Sequence, residues 1–238
     1  VTALSTAGGQ HAGVVQWSYS GCSYVLGLRF IPEVKARQKN DYLCEDFIKW
    51  AAERLDKLPG DLPVVIANRY AANVFGANEE GMTSKPDVYF SVPYDERDGR
   101  ILAEFSNAIV ETACHAAKHR KVYLVRPIPE MGFDVPKVLS RRLGFGFRED
   151  VSISRADYLA RNQWVWAAQD EAARRCGVTI LDPTEQLCDT ERCYGSRDLQ
   201  PLYSDDDHLS EAGNKLLVPM FSRIFAESTA RAYRISDK

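Results

Sequence analysis

A short acidic stretch near the carboxyl end carries the residue types best suited to chemistry. Asp205, Asp206 and Asp207 precede His208, and Ser210 follows as a cap for an apolar, helix-like run. Asp205 lies three residues before His208, so its carboxylate can accept the imidazole Nδ1 proton and leave Nε2 as a general base. Such a pair needs a nucleophile from elsewhere. Acidic loops before helices also occur without a catalytic role, because Asp suits turns and the positive end of the helix dipole.

The composition describes a chain that can bury one hydrophobic core. The 238 residues are 45% hydrophobic and 11% aromatic, which favours a single domain over residues 1–238 rather than two small ones. The net charge of -3 and the lack of a basic run argue against a dedicated nucleic-acid or anionic-membrane binder. No run approaches the roughly 20 apolar residues that span a bilayer. The chain does not begin with Met, which suggests a piece of a longer polypeptide.

The cysteine spacing indicates disulfides rather than metal binding. The chain has six cysteines, Cys22, Cys44, Cys114, Cys176, Cys188 and Cys193. No Cys-x-x-Cys pair or histidine partner at ligand spacing occurs, so we predict no metal and no cofactor. Cys188–Cys193 is the first pair expected and Cys22–Cys44 the second. Cys114 and Cys176 lie in helical patterns, where buried free thiols explain them at least as well. Disulfides would indicate an oxidising compartment.

Helical and strand-like patterns alternate along the chain. Helices are predicted over 1–11, 41–58, 101–119, 155–175 and 211–231, the last kinked at Pro219, and strands over 14–19, 62–67, 121–125 and 178–181. The alternation predicts an α/β fold with a parallel sheet covered on both faces. Functional groups collect outside the carboxyl ends of such strands. This rule selects residues 18–22, 68–70, 126–130 and Asp182, and the acidic stretch can reach the same edge.

Five segments, taken in order, resemble a known superfamily. They are Tyr19-Ser20-Gly21-Cys22, the strand Val64 to Arg69, Arg126-Pro127-Ile128-Pro129-Glu130 with Val135-Pro136, Leu181-Asp182-Pro183, and Leu202 to Ser210. The order resembles the SGNH hydrolase superfamily. It looks most like the SGNH domain at the carboxyl end of bacterial membrane acyltransferases of the acyltransferase-3 type. The resemblance implies a three-layer α/β/α, flavodoxin-like fold.

The resemblance also implies a function. Similar domains suggest a periplasmic carbohydrate O-acetyltransferase within an inner-membrane protein, acting on a glycan such as lipopolysaccharide O-antigen. Asp205 and His208 would be triad members, and the membrane acyltransferase domain of the same polypeptide would hand over the acetyl group. The partners expected are thus a carbohydrate acceptor and an acetyl donor, without nucleic acid.

One family motif is missing from this sequence. The family's first central strand ends in Gly-Asp-Ser, whose serine is the nucleophile, and no Gly-Asp-Ser occurs here. The first helix looks like the one that follows that serine. We therefore expect the first central strand and its serine to lie in upstream or separately numbered sequence. Ser5, Ser18 and Ser20 are possible substitutes, but a helix and a turn explain them better.

Other roles stay open at the sequence level. Asn68 follows its strand where the superfamily has an asparagine, so it is either an oxyanion donor or a turn residue. Arg69 suits substrate binding and a structural ion pair equally. Asp206 and Asp207 are expected to shape the loop. The alternatives to acyl transfer are an SGNH esterase and a non-catalytic glycan-binding module.

Overall fold

The computed structural model describes residues 2–9, 12–37, 43–60, 62–78 and 85–226, and these ranges form two compact units. We call Trp17–Pro127 with Leu159–Ile180 the sheet unit. Val1–Gln16, Ile128–Tyr158 and Leu181–Lys238 form the hairpin unit. Among the described residues, no helix is long and apolar enough to cross a membrane.

The sheet unit is built on three parallel strands. Its strands are β1 (Arg29–Phe30), β2 (Val64–Ile66), β3 (Val88–Tyr89), β4 (Val122–Val125) and β6 (Thr179–Leu181, whose last residue begins the next part of the hairpin unit). The parallel sheet has the order β2-β4-β6, and β1 pairs with β3 antiparallel. The helices are α2 (Pro32–Arg37), α3 (Cys44–Lys57), α4 (Tyr70–Phe75), α5 (Gly99–Ala117) and most of α7 (Arg155–Cys176). This arrangement confirms the predicted α/β class with a parallel sheet.

A continuous apolar core holds the sheet unit together. All four residues of β4 are buried, as the continuous apolar run predicts. Phe105 of α5 is fully buried and packs edge-on against Phe90 and Trp164. Helix ends are also secured by side chains: Asp98 caps α5 by accepting from the backbone N–H of Arg100 at 2.8 Å.

The hairpin unit consists of short antiparallel pairs and helices. Its elements are α1 (Thr2–Gly8), α6 (Val135–Gly144), β5 (Ser152–Ser154), α8 (Thr184–Leu187), β7 (Arg192–Tyr194), β8 (Ser196–Arg197), β9 (Gln200–Pro201) and α9 (Glu211–Leu216). Strand β5 pairs with β7, and β8 pairs with β9. A turn at Leu217 separates α9 from a second helical segment over residues 218–226.

Several predicted elements need correction. Residues 14–19 form no strand: the stretch is irregular and closes in a turn, where the N–H of Cys22 donates to the carbonyl of Tyr19. Helices α4 and α6 were not predicted, because their short apolar patterns lie between polar or proline-rich stretches. The last helix breaks at Leu217 instead of Pro219. Pro219 lies in the first turn of the second segment, where its missing N–H removes no intrahelical bond.

All six cysteines are paired. Cys22–Cys44 and Cys188–Cys193 form as the spacing predicts. The third pair, Cys114–Cys176, joins α5 to the end of α7. The alternative of buried free thiols at these two positions is therefore wrong.

Candidate active site

Asp205 and His208 make the hydrogen bond that their spacing predicts. The His208 Nδ1 lies 2.9 Å from Asp205 Oδ2. The other carboxylate oxygen, Oδ1, accepts from the backbone N–H groups of His208 at 2.7 Å and Asp207 at 3.0 Å. Partial burial raises the pKa of Asp205, but these hydrogen bonds outweigh it and hold the pKa below its usual value. The carboxylate is thus charged and fixed in orientation.

The imidazole of His208 is exposed and contacts two carboxylates. Its side chain is 74% exposed, and its Nδ1 also lies 2.7 Å from Asp207 Oδ1. In the neutral imidazole, carboxylate oxygens beside Nδ1 favour the tautomer that carries its proton there and keeps the lone pair on Nε2. In that tautomer the Nε2 lone pair is the group that can take a proton from a nucleophile.

The backbone of the acidic loop, Leu202–Ser210, is anchored on both sides. The carbonyls of Asp205 and Asp206 accept from the N–H groups of Val135 at 3.1 Å and Met131 at 2.8 Å. Val135 is the first residue of α6, so the start of this unpredicted helix holds the acidic loop. Within the loop, both the N–H and the hydroxyl of Ser204 donate to the His208 carbonyl, at 2.8 and 3.1 Å.

Buried Tyr203 fixes the start of the acidic loop. Its hydroxyl donates to the carbonyl of Pro129 at 2.8 Å, and its side chain has no exposed surface. Burial raises the pKa of Tyr203 well above its usual value, so the phenol stays a neutral donor. The predicted Pro-rich segment 126–130 therefore contributes an acceptor to the loop.

The first turn of α9 fixes the end of the loop. Ser210 caps the helix as predicted: its hydroxyl accepts from the Gly213 N–H at 3.2 Å and donates to the Pro201 carbonyl at 2.9 Å. Gly213 packs so tightly that a Cβ would meet the Leu202 carbonyl oxygen at 2.1 Å. Only glycine fits this approach of α9 to the loop.

Asp150 holds a strained turn that leads into the loop. Asp198 and Leu199 join β8 to β9 with φ angles of 52° and 61°, a conformation that disfavours leucine. Asp150 accepts from both of their N–H groups, at 3.0 and 2.9 Å, and from the Ser196 hydroxyl at 2.7 Å. Partial burial raises the pKa of Asp150, but the hydrogen bonds from Ser196, Leu199 and Asp198 lower it below its usual value. No sequence motif marked this residue.

Asn68 and Arg69 lie in the sheet unit, whereas the Asp205–His208 pair lies in the hairpin unit. The Asn68 side chain accepts from the Tyr24 N–H at 3.1 Å and donates to the Tyr70 hydroxyl at 3.0 Å. Arg69 lines a cavity of about 420 Å³ together with Tyr19, Ser20 and other residues of the same unit. The structure thus gives Asn68 a role in holding its loop.

The acidic loop also contains the donor types of a cation site. Ligand atoms of Asp205, Asp207 and His208 all lie within 4.8 Å of one another. The same atoms already form the hydrogen bonds that orient the imidazole, and exposed acidic clusters are common without a metal. We therefore assign these contacts to positioning His208.

Comparison with known proteins identifies the family of the domain. The sequence model of the SGNH domain that is fused to AT3 domains matches residues 1–223. The chain belongs to this family. The parallel sheet β2-β4-β6 is the part of the fold that this membership accounts for. No curated protein matches the chain significantly.

A solved structure shows the same fold. It is the periplasmic domain of the lipopolysaccharide acetyltransferase of Salmonella ser. Paratyphi A, with a TM-score of 0.50 and 13% sequence identity. The match covers 77% of this chain and 63% of that one, so this SGNH chain spans less than two thirds of that domain. At this identity the likeness shows the fold alone.

Proposed function

We propose that this SGNH domain is part of a carbohydrate O-acyltransferase, which transfers acetyl to a cell-envelope glycan such as lipopolysaccharide O-antigen. The observation that carries the proposal is the 2.9 Å contact between Asp205 and His208, with the carboxylate fixed by two backbone N–H groups. Membership in a family fused to AT3 domains supports the acyl-transfer class. The domain would act in the periplasm, as part of an inner-membrane protein.

In this mechanism His208 acts twice. Its Nε2 removes the proton from a serine hydroxyl while the serine oxygen attacks the acetyl carbonyl of the donor. Asp205 stabilises the imidazolium that forms. His208 then returns the proton to the donor's leaving oxygen, which leaves an acetyl-serine. A sugar hydroxyl, deprotonated by His208 in turn, attacks this ester, and the departing serine oxygen takes that proton back from His208.

The serine is proposed to come from outside the 238 residues. The neighbouring hydroxyls of Ser204 and Ser210 already donate to the carbonyls of His208 and Pro201, and Gly-Asp-Ser is missing from the sequence. Strand β2 is an edge of the parallel sheet among the described residues, and an open edge can accept another strand. The family's serine-bearing strand would fit there.

Other groups are needed for the transition state. The tetrahedral intermediate requires hydrogen-bond donors, each worth a hundredfold or more in rate. Asn68 and Arg69 remain our proposals for oxyanion or substrate binding. The mechanism uses no cofactor. Its partners are the acetyl donor, the glycan and the membrane acyltransferase domain of the same polypeptide.

Hydrolysis is the alternative reaction of the same site. If water replaces the sugar hydroxyl, the acetyl-serine is released as acetate and the domain is an esterase. The 74% exposure of the His208 side chain favours access for water as well as for sugars. Product analysis with a glycan acceptor distinguishes the two: acetylated glycan supports transfer, and acetate alone supports hydrolysis.

A fluorophosphonate probe tests the proposed mechanism. We expect no adduct on the 238-residue chain, as measured by intact mass. We expect one serine adduct on the longer polypeptide that carries Gly-Asp-Ser, and slow labelling of its His208→Gln variant. An adduct on a serine within residues 1–238 would contradict the proposed location of the nucleophile. No adduct on either protein would favour the non-catalytic glycan-binding module.

A further inference from the structure

The end of α6 carries an exposed aromatic and basic tip, which the proposed reaction does not use. We define the tip as Arg141–Arg148, with the sequence Arg-Arg-Leu-Gly-Phe-Gly-Phe-Arg. Phe145 is 76% exposed and Phe147 is 57% exposed. They are two of the most exposed large apolar side chains of the described residues. Adjacent exposed aromatic rings of this kind mark interaction surfaces.

The tip is a defined structure. The N–H groups of Phe145 and Phe147 both donate to the Arg142 carbonyl, at 3.1 and 3.0 Å. Gly146 takes a φ of 86°, which a side chain would disfavour. The guanidinium of Arg148 donates to the Leu143 carbonyl at 3.2 Å and so closes the end of the helix. Residues 144–149 are all exposed, so the turn presents both rings to solvent.

The tip is also positively charged. Arg141, Arg142 and Arg148 fall within eight residues that include no acid, and the first acid is Glu149. Lys137 lies one turn earlier on the same exposed face of α6 as Arg141. This local charge contrasts with the net charge of -3 of the whole chain.

We infer that the tip binds the surface of an anionic phospholipid bilayer. Aromatic rings insert at the headgroup level, and arginines beside them are attracted to anionic headgroups. The exposed rings and the arginines of the tip fit a bilayer surface better than they fit a carbohydrate or a protein partner. A carbohydrate site needs hydrogen-bond acceptors as well as donors for sugar hydroxyls, and the tip offers no acceptor side chain. Two rings on a turn also offer far less surface for burial than the roughly 800 Å² that each partner buries in a stable protein interface.

The inference stands on the tip and does not depend on the acyl-transfer chemistry. Phe145 and Phe147 lie outside the acidic loop and take part in none of the hydrogen bonds described for it. Membership in a family fused to AT3 domains is compatible with a membrane nearby. Vesicle binding and probe labelling are separate measurements, so either proposal can fail alone.

Cosedimentation of the whole chain with sucrose-loaded vesicles tests the inference. Vesicles of phosphatidylcholine with about 30% phosphatidylglycerol are compared with vesicles of pure phosphatidylcholine. Each is measured at about 0.1 M and about 0.5 M salt, because the added salt shortens the Debye length from about 10 Å to a few Å. We expect binding to the anionic vesicles, weakened by salt. Phe145→Ala with Phe147→Ala should lower the partition coefficient at least about tenfold. Arg141→Ala with Arg142→Ala should lower it roughly fivefold for each arginine, on anionic vesicles only.

Matched controls keep the outcome clear. Val92 is 64% exposed and lies in the sheet unit, so Val92→Ala should leave the partition coefficient unchanged. Near-ultraviolet circular dichroism should show that the exposed Phe145 and Phe147 substitutions leave the fold intact. Equal partitioning of the wild type and the double phenylalanine variant would overturn the inference, as would failure of the wild type to bind at low salt. Loss of glycan transfer in that variant with unchanged vesicle binding would assign the tip to the glycan instead.

Discussion

At the scale of single residues, two carboxylates contact the same imidazole nitrogen. Asp205 Oδ2 and Asp207 Oδ1 lie 2.9 and 2.7 Å from His208 Nδ1. The second oxygen of Asp205 accepts two backbone N–H groups, which fixes the carboxylate in the geometry that a triad needs. We therefore assign the orienting role to Asp205.

Asp205→Asn should lower turnover of an acetyl ester by at least about a hundredfold in the polypeptide that carries the nucleophile. An amide N–H that donates to Nδ1 requires this nitrogen to be unprotonated. The imidazole proton then lies on Nε2, which cannot act as a base. Asp207→Asn is the matched control and should cost less than about tenfold. Steady-state kcat/KM of both variants measures the difference. A larger loss in Asp207→Asn would reassign the triad carboxylate.

Asp150→Asn should destabilise the chain by about 1–3 kcal/mol at neutral pH, since a charged acceptor for three donors is lost. The pKa of Asp150 is lowered in the folded state. Its contribution to stability is thus present above the unfolded pKa, near 4, and is lost as pH falls below it. Urea unfolding between about pH 3 and 7 should show the two proteins converging in acid. A constant difference across this range would contradict the linkage.

At the scale of elements, short contacts between α6, α9 and the acidic loop position the chemistry. The first N–H of α6 donates to the Asp205 carbonyl, and Gly213 of α9 lies against the Leu202 carbonyl. Neither contact involves a long apolar face. Backbone contacts therefore contribute directly to how these two helices meet the loop.

Gly213→Ala tests the approach of α9 to the loop. The new Cβ would lie 2.1 Å from the Leu202 oxygen, so the helix or the loop must move. We expect a loss of about 1–3 kcal/mol in stability together with slower turnover. Gly144→Ala in α6 is the control: nothing lies within 4 Å of its Cβ position, and we expect a gain of up to about 1 kcal/mol. Unfolding curves with unchanged stability in Gly213→Ala would show that this contact is not required.

At the scale of the whole molecule, three disulfides restrict the unfolded chain. Cys114–Cys176 closes 62 residues and Cys188–Cys193 closes only five. The entropic contribution of a disulfide rises with the length of the loop that it closes. The longer bridge should therefore stabilise the chain more.

Replacing Cys114 and Cys176 by Ala should cost about 4 kcal/mol, against about 2 kcal/mol for the same change at Cys188 and Cys193. Both values follow from loop length alone. Urea midpoints of the two double variants measure the order. A greater loss at Cys188–Cys193 would mean that this bridge stabilises the native β7 region beyond its effect on the unfolded chain.

The sequence determined the features that depend on local chemistry. The spacing of Asp205 and His208, the cap at Ser210, the long helices and the bridge at Cys188–Cys193 all involve residues close in sequence, whose geometry is set by turns and helical periodicity. The family resemblance added the SGNH fold, which the comparisons confirm.

Only the tertiary structure decided the contacts between distant residues. The pairing of Cys114 with Cys176 and the hydrogen bonds of Asp150 to a turn nearly 50 residues away have no local signal. The net charge of the whole chain does not show the local positive charge of the tip. The β-rich pattern at 14–19 predicted a strand that does not form. A strand forms only where it pairs with a neighbouring strand. Asp150 can hold the turn between β8 and β9 only because the fold brings the N–H donors of that turn to its carboxylate.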